Sequence, residues 1–124
     1  MENKMTQSKK ILICDDEEGI RESLKLILGD QYNLILTDNG EQCLESLAKD
    51  PAIGVVLLDI KMPRVHGLEV LEEIKKKFPD KKVIIVTGYK SVETATEASR
   101  LGANGYIVKP FKADEILESV GRSL

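Results

Sequence analysis

An α/β fold of three layers, with a parallel sheet in the middle, is predicted by three features of this sequence. Five strand-like apolar runs, near residues 10–14, 33–37, 54–58, 83–86 and 105–108, alternate with segments of helical period. That alternation is the pattern of repeated β-α-β units. Ile11-Leu12-Ile13-Cys14, Val55-Val56-Leu57-Leu58, Val83-Ile84-Ile85-Val86 and Tyr106-Ile107-Val108 are continuously apolar, so each reads as a strand buried on both faces. Finally, 124 residues leave room for one core and not for two.

The elements follow in order. Residues 1–8 are polar and form a tail, flexible by expectation, and 9–124 make the domain. The first helix carries Ile20, Leu24, Ile27 and Leu28 on one stripe and stops at Gly29. Asn39 is placed to cap the second, whose inner residues read as Leu44, Leu47 and Ala48 before Pro51. Leu68, Leu71, Ile74 and Phe78 mark the third helix, and Ile116, Leu117, Val120 and Leu124 the fifth. The fourth, from Ser91 to Leu101, has an inner stripe of Val92, Ala95, Ala98 and Leu101 with Thr94 and Thr96 nearby. Such small side chains bury little area, which makes this the most weakly anchored helix.

Composition excludes several classes of function. A net charge of -3 with 31% charged and 42% hydrophobic residues is a globular balance with no basic field for nucleic acid. Lys75-Lys76-Lys77 and Lys81-Lys82 are interleaved with or flanked by Glu72, Glu73 and Asp80, and read as solvated surface. Cys14 and Cys43 form no C-x-x-C pair, and His66 is the chain's one histidine, so a zinc site is not expected. Free thiols of a reducing cytoplasm are the simplest account. The amino-terminal segment lacks a secretory apolar region, and no run of 18 apolar residues spans a membrane.

Chemistry concentrates just past the strands. Asp15 and Asp16 follow the first, Asp59 the third, Thr87 the fourth and Lys109 the fifth. In a parallel sheet the residues beyond the carboxyl ends converge on one edge, where open α/β sheets bind ligands. An isolated acidic pair would merely cap a helix or face water. Three carboxylates together repel one another unless a cation or protons compensate, and Mg²⁺, a hard ion with oxygen ligands, is the economical solution. With an ammonium and a hydroxyl added, the set suits phosphoryl transfer, with Asp59 as the nucleophile forming an acyl phosphate.

The chain resembles the receiver domain of the response regulators of two-component signalling over about residues 9–124. The resemblance rests on Asp15-Asp16, Asp59 with Met62-Pro63 and Gly67, Thr87-Gly88, and the run from Gly105 to Phe111 through Lys109-Pro110. It implies a flavodoxin-like (βα)5 sheet of order 2-1-3-4-5, with Mg²⁺ held by Asp15, Asp16, Asp59 and the Lys61 backbone carbonyl. It implies that Asp59 takes a phosphoryl group from a histidine kinase and that Thr87 and Lys109 grip the phosphoryl oxygens. Gly88, where Ala is commoner, keeps that position small and the phosphate accessible. Tyr106 matches the switch aromatic, Lys109-Pro110 a bond that is cis in the family, and Lys61 and Tyr89 the positions that tune loss of the phosphoryl group. His66 departs from the usual Asp and reads as an exposed cap variant.

By the same resemblance the output emerges on the face of the fourth helix, fifth strand and fifth helix. That face would meet a downstream partner, an output domain or a second copy. The chain is then no enzyme beyond self-phosphotransfer and its reversal, and is a stand-alone cytoplasmic receiver or part of a longer regulator. Three alternatives are weighed. An aspartyl phosphohydrolase would want a D-x-D pair after the first strand and an inserted cap, and neither is visible. A flavin domain would want a Ser/Thr/Gly-rich phosphate loop where Asp15-Asp16-Glu17-Glu18 stands. A receiver-fold interaction module that is never phosphorylated typically lacks part of the acidic set.

Overall fold

A computed structural model describes residues 9–61 and 67–124. The expectations for residues 1–8, Met62, Pro63 and His66 fall outside these. Along the chain run β1 (Lys10–Cys14), α1 (Glu18–Leu28), β2 (Asn33–Thr37), α2 (Gly40–Lys49), β3 (Ile53–Leu58), α3 (Gly67–Lys77), β4 (Lys82–Thr87), α4 (Val92–Arg100), β5 (Gly105–Val108) and α5 (Ala113–Ser123). The five strands form one parallel sheet of order β2-β1-β3-β4-β5, as the resemblance implies.

The sheet divides the apolar residues into two cores. Leu12, Val56, Leu58, Val83 and Ile85 face α2, α3 and Ala98 of α4 on one side, while Ile11, Ile13, Val55, Leu57, Ile84 and Val86 face α1 and α5 on the other. Successive strand residues point to opposite faces, so a strand covered on both sides must be apolar throughout. This holds at the centre of the sheet for residues 11–14 of β1, for β3, and for residues 83–86 of β4. It fails for β5, whose Tyr106 and Val108 are only half buried. β5 is an edge strand, and its cover is the small-residue helix α4, so the expectation of full burial is corrected there.

Three helix stripes need similar correction. Val92 is 80% exposed, because it stands in the first turn of α4 beside the Ser91 cap, and Ala98 alone in that helix is buried. In α2 the buried residues are Gly40, Cys43 and Leu47, with Ala48 exposed. Cys43 takes the place that a ranking by hydrophobicity gives to its larger neighbour Leu44. In α5 Ser119 is buried while Leu124, past the helix end, is exposed.

Asn39 caps α2 as expected, its side chain accepting from the Gln42 N–H at 2.9 Å. Gly29 ends α1, but in right-handed geometry rather than the left-handed cap that favours glycine. Lys81 is buried, not surface: it lies at the foot of the sheet and donates to the Pro51 carbonyl at 2.9 Å. Cys14 and Cys43 are both buried thiols without a disulfide. Two glycines answer real constraints. Gly102 has φ +101 just past α4, and a Cβ on Gly67 would fall 2.1 Å from the Ile60 Cα. A side chain at 67 would push α3 away from the segment that follows Asp59.

Candidate phosphoryl-transfer site

The pairing of backbone groups continues beyond the strands and fixes the two central carboxylates side by side. The Asp59 N–H donates to the Cys14 carbonyl at 3.0 Å, and the Asp15 N–H to the Thr37 carbonyl at 3.1 Å. Asp15 and Asp59 are both buried. At the other side of the pocket, the Lys109 N–H donates to the Thr87 carbonyl at 2.8 Å, which anchors the residue after β5 to the end of β4. The Lys109–Pro110 peptide is cis.

The Lys109 ammonium lies at 2.9 Å from Asp15 Oδ2, 2.9 Å from Glu17 Oε1 and 3.0 Å from Asp59 Oδ2. Its three N–H donors thus meet three carboxylates. Asp59 Oδ1 accepts from the Lys61 N–H at 2.8 Å, and Asp15 Oδ1 from the Glu17 N–H at 2.9 Å. Oxygens of Asp15, Glu17 and Asp59 lie within 4.8 Å of one another. Asp16, expected among the metal ligands, stands exposed beside this group and is not among its three members. Glu17 was missed by the sequence reading. The signal available for it was its place two residues after Asp15, in the turn that enters α1.

Three carboxylates meet one ammonium in the pocket, so negative charge is in surplus. Burial raises Asp15 above its ordinary value, despite the Glu17 N–H and Lys109, which pull the other way. Burial alone would lower Lys109, but the hydrogen bonds it donates to Glu17, Asp15 and Asp59 carry it well above the ordinary lysine value. The two rise for different reasons: Asp15 because it is buried, with a smaller contribution from the Asp59 charge, and Lys109 because three carboxylates surround its ammonium. That surplus of negative charge, presented as converging carboxylate oxygens, fits a hard divalent cation.

A stability test follows. Asp15→Asn should raise the melting temperature of the metal-free protein, by about 4 °C for each 1 kcal/mol of relieved desolvation and repulsion. The sign comes from a folded-state value raised above 3.8. Stability is full below the unfolded value and is lost as pH rises through the folded one. The advantage of Asn is therefore present at neutral pH and disappears below about pH 4. Thermal melts of both proteins in chelator, at pH 7 and in acid, check this; an equal gain at both pH values would contradict it.

Thr87 is fully buried at the end of β4, and its Oγ1 accepts from the Tyr89 N–H at 3.4 Å. The Tyr106 hydroxyl donates to the Tyr89 carbonyl at 3.0 Å. Tyr89 is thereby tied to the hydroxyl at the pocket and to the aromatic on β5. Its ring carries the Lys61 ammonium at 5.6 Å from the centroid, a cation–π contact between the two residues expected at the pocket entrance. Gly88 between Thr87 and Tyr89 is exposed, with open space where a Cβ would be. Burial, and secondarily the Asp59 charge, raise the Tyr106 phenol above its ordinary value. Beside Tyr106, α4 and β5 leave a groove of about 620 Å³ whose lining includes Val92, Ala95, Ser99 and Val108.

Known proteins are similar to this chain in sequence and fold. The family model of the response regulator receiver domain matches residues 11–121. Regulatory protein AtoC of Escherichia coli is 40% identical over 97% of the chain and 26% of its own length. A putative NtrX-like response regulator of Rickettsia bellii is 42% identical over 86% and 23%. The chain thus spans about a quarter of these curated relatives. Among solved structures, response regulator TrrA of Thermotoga maritima, in complex with Mg²⁺ and BeF, is 40% identical with a TM-score of 0.84, covering 94% of this chain and 99% of that one. A CheY-like receiver domain of Methanospirillum hungatei has 35% identity and a TM-score of 0.86 over 92% and 91%.

Proposed function

This chain belongs to the response regulator receiver domain family, and on that premise we propose that it is a phosphorylation-dependent switch whose acceptor is Asp59. The carrying observation is the three-carboxylate grip on Lys109 beside a buried Asp59. An Asp59 oxygen attacks phosphorus, the bond to the donor's leaving group breaks, and an acyl phosphate remains on the protein. The donor is the phosphohistidine of a histidine kinase or a small acyl phosphate.

Mg²⁺ is the cofactor this reading calls for, held by Asp15, Asp16, Asp59 and the Lys61 carbonyl, with Glu17 beside them. When bound it neutralises charge on the transferring group. Lys109 then moves one or more of its N–H donors from the carboxylates to phosphoryl oxygens, and Thr87 Oγ1 donates to another. Gly88 leaves that approach open, while the Lys61–Tyr89 contact narrows the path of a hydrolytic water. No other enzymatic activity is assigned to the chain.

As Thr87 turns to the phosphoryl group, its contact with the Tyr89 N–H is given up, and the loop that also holds the Tyr106 hydroxyl is free to rearrange. Two discrete arrangements of α4 and β5 result, and a downstream partner, an output domain or a second copy reads them on the α4-β5-α5 face. Residues 9–124 act as the receiver, in the cytoplasm. Among the described residues no helix is long and apolar enough to cross a membrane. Nothing in this reading calls for direct contact with nucleic acid.

Hydrogen exchange tests the relay. With Mg²⁺ and a beryllofluoride phosphate mimic, protection should change more over residues 91–106 than at the β2 edge of the sheet. Thr87→Ala should accept phosphate yet lose most of that change. Equal responses from both proteins would remove Thr87 from the relay and leave Lys109 to carry it.

A further inference from the structure

Glu17 occupies the N-cap position of α1, but its side chain makes no capping hydrogen bond. Instead it reaches to a residue 92 positions away, meeting Lys109 Nζ at 2.9 Å. Its backbone is fixed beside the pocket by the bond from its N–H to Asp15. The Glu17 side chain is 62% exposed, whereas Lys109 is only 12% exposed, so the ammonium sits inside the pocket and Glu17 closes it from the solvent side. Of the three carboxylates around Lys109, Glu17 is the one facing solvent, the side from which a phosphodonor arrives.

Resting on the phosphoacceptor reading above, we infer that Glu17 is a positioning residue: it holds the Lys109 ammonium in the resting site and so limits the rate at which Asp59 is phosphorylated. Two physical effects act in the same direction. The third N–H of Lys109 is occupied by Glu17 and must be released before it can meet a phosphoryl oxygen. The Glu17 charge also repels a dianionic donor at the mouth of the pocket, in water, where such an interaction is felt at short range and screened by salt. Removing the carboxylate should therefore speed the reaction even though it lowers the pull on Mg²⁺. The two are separable by working at saturating metal.

The test uses the full chain as wild type, Glu17→Ala and Glu17→Gln, each with Mg²⁺ raised to saturation by its own titration and acetyl phosphate below saturation. Acyl phosphate formation is followed by intact mass. Glu17→Ala should react about three- to tenfold faster than wild type at low ionic strength, and the advantage should shrink at high salt. Glu17→Gln, which keeps an acceptor for Lys109 but no charge, should fall between them. A residue that merely supported the fold would move the melting temperature without this salt dependence. Equal rates for all three proteins at low salt would overturn the inference while leaving Asp59 as acceptor. If wild type itself takes no phosphoryl group, the function proposed above fails, and this inference with it.

Discussion

Asp59→Asn should abolish uptake of phosphate from a small phosphodonor while leaving the fold unchanged. The amide is nearly isosteric with the carboxylate, and it can still accept from the Lys61 N–H that Asp59 Oδ1 meets at 2.8 Å. It lacks the anionic oxygen that attacks phosphorus, and loss of a nucleophile typically lowers rates by several orders of magnitude. The variant should melt no lower than wild type in chelator, since it removes one negative charge from a group with three carboxylates and one ammonium. Intact mass after incubation with Mg²⁺ and acetyl phosphate decides the matter: an adduct of undiminished stoichiometry on the Asn protein would move the acceptor elsewhere, with Thr87 the next candidate.

Lys109→Met should cost the metal-free protein about 3–5 kcal/mol, the scale of leaving buried charge without its partner. Lys109 is the cation that touches all three of Asp15, Glu17 and Asp59. Methionine roughly preserves the volume of the stem, so the loss reports charge rather than a cavity. Because the folded-state value of Lys109 is raised, its ammonium contributes fully at all pH values below the ordinary lysine range. The pH dependence of the difference instead comes from the carboxylates. Asp15 is already raised with Lys109 present and rises further without it, so the deficit should diminish in acid as the carboxyl groups protonate. Mg²⁺ should restore part of it at neutral pH. A deficit equal in chelator and in Mg²⁺ would argue against a shared cation site.

The central strands were legible because burial on both faces favours apolar residues, and residues 11–14, 55–58 and 83–86 show it in unbroken apolar runs. β5 misled for the converse reason: Tyr106-Ile107-Val108 is as apolar as its neighbours, yet an edge strand under a helix of small residues is only half covered. Helix faces were less sharply written. Cys43 packs as a small hydrophobe but was read for its thiol chemistry, and Val92 fits a 3.6-residue stripe yet stands exposed in the first turn of α4. Asp15, Asp59 and Lys109 were legible as a site because strand ends converge in a parallel sheet. The contact of Glu17 with Lys109 was not, since it depends on how the turn after β1 directs one exposed side chain across the pocket.

Central to this account is that Asp59, and no other residue, carries the phosphoryl group, and that the acidic pocket needs a divalent cation to accept it. The direct measurement is to treat the full chain with acetyl phosphate, with and without Mg²⁺, and map the modification by fragment mass. One phosphoryl group on the fragment containing Asp59, formed only when Mg²⁺ is present, is the predicted result. A modification that maps to Thr87 or elsewhere, or one that forms equally well in chelator, would contradict it.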